Sequence, residues 1–409
     1  MSGGSLNGIR ILDLSSVVVG PLATQILADH GADVIKVESL EGDLGRRLAG
    51  RGRNEDMGPK FMHLNRNKRS IVLDLKHKTG REALLKVIEH SDVILWNLRP
   101  KSMSRLGLDY ETVKWHKPDI IYCGMFGFGQ QGRYRDRPAY DSIIQGASGV
   151  AALHQRASGE PRYVPYVLAD RTVGLIAVQL ILAALLHRER TGQGQSIEIP
   201  MFENMVTQVL TEHMHLATFD PPLGGLGDPR VLDPGNKPLP TRDGYICISA
   251  NTDTQAFALF AAIGQPELKD DPRFSSVVAR FENVAAYFEI RRKGLVEKSS
   301  AEWLKIFDLL DVPAAPYHTL ESLMDDPHLH DVGFFEHVQH PTEGAIWKLA
   351  AANRMSAGMR VDTLPAPNLG QHTREVLAEA GMSEEEITCL LATGAGIQWL
   401  ANEGQEKSV

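Results

Sequence analysis

Three observations predict an α/β fold with a Rossmann-like large domain, a parallel sheet and a second, smaller α/β domain. Short β-branched runs alternate with amphipathic segments from residue 8 to residue 125. The first strand-to-helix turn, Ser15-Ser-Val-Val-Val-Gly-Pro21, lacks the glycine spacing that brings backbone against a dinucleotide pyrophosphate. After about residue 215 the texture changes to proline- and glycine-rich chain before the alternation resumes.

In order, Gly8 to Leu14 predicts a strand, and Gly20 to Ala28 a helix with Pro21 in its first turn, where a missing N–H costs nothing. Strands follow at Ala32 to Glu38, Ser70 to Leu75, Asp92 to Asn97 and Asp119 to Met125, with a helix at Gly80 to His90. Gly124 to Gly132 leads off a strand with no apolar helix behind it, so it predicts a loop of close backbone approach. Thr172 to Leu186 predicts a buried helix, interrupted by Gln179 and short of the roughly 20 residues a bilayer requires. Residues 1–215 therefore read as the large domain, 216–240 as a linker and 241–325 as the small domain. Helices at Thr373 to Ala380 and Ser383 to Thr393 close the chain, each opening on a hydroxyl residue, with Ser383 and Glu386 spaced as a capping box.

A net charge of -8 and a pI near 6.0 argue against nucleic acid or an anionic membrane as partner. Basic residues nevertheless concentrate early, at Arg46, Arg47, Arg51, Arg53, Arg66, Lys68, Arg69, Lys76 and Lys78, which suits a phosphorylated small molecule. Three cysteines without paired spacing and an N-terminus without a signal-peptide pattern predict a reducing, cytoplasmic setting. The fifteen histidines show no ligand spacing; His213 and His215 lie two apart, on different faces of a helix, and predict no metal site.

Asp170, in Pro165-Tyr-Val-Leu-Ala-Asp-Arg-Thr-Val-Gly174, stands at the mouth of the apolar helix. Alone it supports two readings: an N-cap that starts the helix, or a nucleophile placed at its entrance.

Motifs spread along the chain decide between them. Ile11-Leu-Asp-Leu14, Gly20-Pro21, Gly31-Ala-Asp-Val-Ile-Lys-Val-Glu38, Asn65-Arg-Asn-Lys-Arg-Ser70, Asn97-Leu-Arg-Pro100, Gly127-Phe-Gly-Gln130, Tyr140-Asp141, Asp170, Arg190-Thr-Gly-Gln-Gly-Gln195 and Asn368-Leu-Gly-Gln371 occur in one order and spacing. In these the chain resembles the class III CoA-transferases, the CaiB/BaiF group that includes formyl-CoA transferase. The resemblance implies that Asp170 attacks an acyl-CoA thioester, with CoA as substrate and no tightly bound cofactor or metal. It implies CoA contacts at Val17 and Val18, Leu73 and Lys76, Asn97 and Leu98, Arg105, Tyr140 and Asp141. Ser39 and Lys101 depart from the family pattern, so the phosphate contact is expected from Arg46, Arg47 or Arg137. Gly127, Gly129 and Gln130 are expected to form a donor loop, and Gly224 and Gly225 are the nearest counterpart of the family's glycine lid. Arg162, upstream of Asp170, is a candidate for a second carboxylate of a dicarboxylic acid such as succinate. Family architecture implies an interlocked homodimer in which residues 326–409 return to complete the large domain. The related racemases carry a histidine near Tyr140, and a tyrosine there makes an acyl-CoA isomerase the lesser alternative; a CoA-binding protein without turnover is the other.

Overall fold

The computed structural model of the chain describes residues 4–358 and 364–400. Contacts group them into two compact units, one of residues 1–148, 165–206 and 331–409, the other of residues 149–164 and 207–330. Residues 216–240, read as a linker, thus fall inside the second unit.

The first unit begins with β1 (Arg10–Asp13), α1 (Val19–Asp29), β2 (Asp33–Glu38), α2 (Pro59–Asn65), β3 (Lys68–Leu73), α3 (Lys78–Glu89), β4 (Val93–Trp96), α4 (Pro100–Arg105), α5 (Tyr110–His116), β5 (Ile121–Phe126) and α6 (Asp141–Ala147). After α7 (Val150–Ser158) come α8 (Leu168–Thr191), β6 (Gln195–Pro200) and α9 (Met201–His213). The second unit continues with β7 (Leu239–Pro240), β8 (Tyr245–Ile248), α10 (Asp253–Ala262), α11 (Val277–Glu282), α12 (Val284–Gly294), α13 (Ser300–Leu309), β9 (Ala314–Pro316), α14 (Leu320–Met324) and α15 (Pro327–Asp331). The chain closes with the hairpin β10 (Phe335–His340) and β11 (Gly344–Leu349), then α16 (Thr373–Glu379), α17 (Glu384–Ala392) and β12 (Gly396–Ile397).

Seven strands form one sheet in the order β12, β3, β2, β1, β4, β5, β6, all parallel except β12, which runs antiparallel to β3 with Gly396 opposite Leu73. Ile11 and Leu12 of β1, Val34 and Ile35 of β2 and Val93 to Leu95 of β4 are all but inaccessible. Strands covered on both faces read as continuous apolar runs, which is why β1, β2 and β4 are legible in the sequence. β1 has β2 on one side and β4 on the other, so the order reverses there and leaves a crevice beyond the carboxyl ends of β1 and β4.

Two helix expectations change. The helix expected at Thr172 to Leu186 extends to 24 residues, long and apolar enough to span a membrane by length and composition. It contacts α1, α6, β5 and β6 of its own unit. Thr373 does not cap α16; His372 holds that position, and the Thr373 hydroxyl donates to the Ile397 carbonyl at 2.6 Å, tying the C-terminal strand to the helix. Ser383 caps α17 with Glu386 in a full capping box, as its spacing predicts.

Candidate active site

Asp170 is not an N-cap. α8 starts two residues earlier, with Val167 at the cap position and no side-chain bond of its own there. The first turn is held from another helix: Asp141, the first residue of α6, accepts from the amides of Ala169 at 2.8 Å and Asp170 at 3.2 Å. A carboxylate at a helix N-terminus satisfies orphan amides and complements the dipole. Gln145, one turn along α6, donates from Nε2 to the other oxygen of Asp141 at 2.7 Å and to the Tyr166 carbonyl at 3.2 Å, fixing that carboxylate.

Asp170 is thereby relieved of capping, and no ion pair engages it among the described residues. Burial, and then the like charge of Asp141, raise its pKa to about 7, against the pull of Lys60 and Arg171. Asp170 is therefore a carboxyl that changes charge near neutrality, beside a neighbour ordered by three N–H donors.

α8 comes close to α1 one turn beyond Asp170. A Cβ on Gly174 would stand 2.8 Å from the Val19 carbonyl oxygen, so only glycine lets the helices approach this far. The start of α1 is thus drawn toward the turn that carries Asp170. α1 has no side-chain cap at Val18, so its first amides are not claimed by a side chain. Val17, just before it, sits at φ 71°, a left-handed conformation costly for a β-branched residue. Its amide donates to Asp43 Oδ1 at 3.0 Å. Asn97, just past β4, accepts from the Ser16 amide at 3.0 Å and donates to the Ser16 carbonyl at 2.9 Å, stitching the two walls of the crevice.

Beneath this turn lie three buried ion pairs: Asp13 with Lys68 at 2.9 Å, Lys36 with Asp43 at 2.8 Å and Glu38 with Arg46 at 2.7 Å. Arg46 also stacks on Phe61 and reaches the Pro367 carbonyl, and it is fully buried. It is therefore unavailable to a phosphate, which corrects the expectation for it. The early basic cluster is likewise not a free patch: Lys68 is buried, and Arg66 and Arg69 are held by Asp29, Asp33, Glu375 and Glu379.

The other expected residues divide by position. Val17, Asn97 and Leu98 lie on the turns after β1 and β4 at the switch point, joined by the Ser16–Asn97 bonds, whereas the Val18 side chain is 1% exposed and packs inside. Leu73 is 1% exposed and belongs to the core, so its side chain is packing. Lys76 and Arg105 are exposed; Arg47 is paired with Asp56, and Arg137 lies over the ring of Tyr134 at 4.0 Å. Tyr140 is 73% exposed. In the expected donor loop, the Gly129 amide is already given to Glu203 at 2.9 Å, and Gln130 Nε2 to the Phe128 carbonyl at 3.0 Å. Gly127 packs where a Cβ would meet that of Ala139 at 2.4 Å. Arg162, Gly224 and Gly225 are exposed in the second unit, with Arg162 paired to Glu160 at 3.1 Å.

Sequence reasoning missed Lys60, whose charge acts on Asp170 from α2, and the anchoring roles of Gln145 and Asp43. The four-residue step from Asp141 to Gln145 was a readable signal for a helical pair; nothing local marks Lys60. Among the described residues no group of three or more His, Cys, Asp or Glu is placed to hold a metal.

A mostly parallel sheet with a crevice at its switch point, beside an unpaired carboxyl in the first turn of a long helix, defines an α/β enzyme suited to a nucleotide-like substrate. The chain belongs to CoA-transferase family III, whose pattern matches residues 6–373, and is a CoA-transferase of class III. It is 33% identical over 396 residues to the succinate-glutarate CoA-transferase of Agrobacterium fabrum, covering 94% of this chain and 97% of that one. It is 33% identical over 395 residues to the succinyl-CoA:mesaconate CoA-transferase of Haloarcula hispanica, covering 93% and 97%. The crystal structure of a CaiB/BaiF family protein from Brucella suis superposes with a TM-score of 0.77 at 31% identity, covering 93% of this chain and 100% of that one. The family expected from the motifs is the family found.

Proposed function

We propose that Asp170 is the covalent relay that moves CoA from an acyl-CoA donor to a carboxylic acid, with a dicarboxylate such as succinate as one partner. The observation that carries this reading is the Asp170 carboxyl itself, unpaired and raised to about 7 in a turn that Asp141 holds open. A more basic carboxylate is a stronger nucleophile while remaining substantially ionised at neutral pH.

One Asp170 oxygen attacks the thioester carbonyl and expels CoA thiolate, leaving a mixed anhydride. The thiolate attacks the aspartyl carbonyl and releases the donor acid, leaving an aspartyl-CoA thioester. The acceptor carboxylate attacks that thioester carbonyl and expels the thiolate, which then attacks the acceptor's acyl carbonyl in the new anhydride and frees Asp170. No net proton is gained or lost. The first amides of α1, approached by α8 at Gly174, are better placed to meet the developing oxyanions than the Gly127 to Gln130 loop, whose Gly129 amide is already bonded.

CoA enters as substrate along the Val17, Val18, Asn97 and Leu98 crevice, with Lys76, Arg105 and Arg137 as the exposed cations for its phosphates. Tyr140 would meet the same ligand from the loop before α6, and Gly224 and Gly225 would serve as the lid. Both curated relatives above are named for succinate or succinyl-CoA, which supports succinate as a partner. α8 exposes Leu175, Leu180, Leu182 and Leu186, a face that a second copy in an interlocked homodimer would cover. Three free cysteines suit a reducing, cytoplasmic setting.

Incubation with succinyl-CoA and hydroxylamine tests the relay. A hydroxamate on the peptide containing Asp170, absent in Asp170→Ala, is the expected mass. Its absence with every donor, together with α-proton exchange in deuterated water, would assign an isomerase instead.

A further inference from the structure

The second unit contains a cationic pocket in which the Asp170 chemistry has no part. Its wall includes Arg230, Arg280 and Arg291 with Asn236, Ser249 and Asn251, and no Asp or Glu. Arg280 and Arg291 are 3% and 6% exposed. Arg280 is provided for: it donates to the carbonyls of Phe274 and Asn251 and to Asp253 Oδ1 at 2.8 Å. Arg291 is not. Its Nη2 donates to the Ile248 carbonyl at 2.6 Å and its guanidinium flanks the rings of Tyr287 and Phe288, but its buried Nε has no partner. No carboxylate pairs with Arg291 or Arg230 among the described residues, whereas Arg280, the other deeply buried arginine on this wall, is paired with Asp253. A buried guanidinium without a counter-charge is expensive to keep, and an unfilled Nε–H beside it marks where an acceptor belongs.

We propose that this pocket binds a compact oxyanion, a carboxylate or phosphate group, with Arg291 as its main charge and the partly exposed Arg230 as its second. A guanidinium holds the oxygens of such a group through charge-assisted bonds, and the Arg291 Nε–H is the donor left without a partner for one. Ser249 and Asn251 add polar groups at the same wall, and the rings of Tyr287 and Phe288 exclude water from one side. The cavity is about 60 Å³, room for about four waters and so for an oxyanion headgroup rather than an adenine. The site stands apart from the role given to Asp170, and neither depends on the other.

Titration calorimetry on the full-length enzyme tests it, with sodium phosphate and sodium succinate as probes and chloride holding ionic strength constant. Saturable binding of at least one probe is expected, retained in Asp170→Ala, and weaker by about tenfold or more in Arg291→Gln, the scale of losing one charge-assisted bond. Arg230→Ala, whose side chain is not in the core, weakens it in the same direction and carries the test if Arg291→Gln does not fold. Binding of phosphate alone assigns a phosphate group, and binding of succinate a carboxylate. Absence of binding for both probes, binding unchanged in both arginine variants, or binding lost in Asp170→Ala would each overturn the proposal.

Discussion

Beneath the β1 to α1 turn, Asp13, Glu38 and Asp43 each face a cation, Lys68, Arg46 and Lys36, within 2.9 Å; at the start of α8, Asp170 faces another carboxylate. The three paired acids are buried and Asp170 is half-buried, and burial pushes all four carboxyls up. In the first set the facing cations and the hydrogen bonds together outweigh burial, and all three acids are lowered from the usual carboxylate range. In the second nothing outweighs it, and Asp170 rises to about 7. A charge matched at fixed distance specifies a turn and cannot react without orphaning its partner. A charge left unmatched is destabilising where it stands, and a fold retains it for what it does. Arg46 and Arg291 repeat the contrast among cations: both are buried, one paired with Glu38 and the other with no acid.

The largest way to break the contrast is Asp170→Asn. It should lower kcat by about 10⁴-fold or more, the scale seen when a covalent nucleophile is removed, while circular dichroism and thermal unfolding stay those of a folded protein. Retained turnover would place Asp170 with the structural acids. Lys68→Met is its counterpart. It leaves Asp13 buried without its paired cation, with only the more distant charge of Lys36, and should cost about 3–5 kcal/mol in urea unfolding. Adding Asp13→Asn should recover part of that loss, because the orphaned charge is removed with its partner.

The sequence made the strands legible because a two-sided parallel sheet demands unbroken apolar runs, and Ile11, Val34 and Val93 to Leu95 supply them. Ser383 with Glu386 was legible because a capping box is local. Asp170 stood out through the motifs around it, but its relation to the helix was not legible. The cap comes from Asp141, 29 residues earlier in sequence, and no local pattern announces a cap supplied by another helix. Arg46 was misread for a similar reason: an arginine destined for Glu38 and one destined for a phosphate have the same composition and neighbours. The long-range pairs that separate them, such as Arg46 with Pro367, exist only once the sheet has formed.

The pH dependences run in opposite directions. Below about pH 7, kcat/KM should fall about tenfold per unit as Asp170 takes up a proton. Asp141→Asn removes the like charge but not the burial, so the acid limb should shift partway toward lower pH. An unmoved limb would mean that burial alone sets it. For stability, the folded Asp170 holds a proton between pH 3.8 and about 7 that the unfolded chain has released. Its contribution is full below 3.8 and is lost as pH rises through that window. Asp170→Asn should therefore melt above wild type at pH 8, with the gap closing toward pH 4, by about 2–4 °C for each kcal/mol relieved. The acids of the paired network do the reverse, stabilising above their unfolded pKa values and losing that contribution as pH falls.

The smallest effect is expected at Arg162, where charge is neither buried nor unmatched. Its guanidinium is 72% exposed and holds Glu160 at 3.1 Å, a surface pair whose loss costs about 0–1 kcal/mol. Stability should therefore be nearly blind to Arg162→Ala, and any change in kinetics can be read as recognition. If Arg162 meets the second carboxylate of a dicarboxylic acceptor, KM for succinate should rise in Arg162→Ala while KM for a monocarboxylate such as butyrate stays fixed. Equal KM values for both acids in variant and wild type would remove Arg162 from the site, and dicarboxylate selection would then have to come from groups that stay unmatched until the substrate arrives.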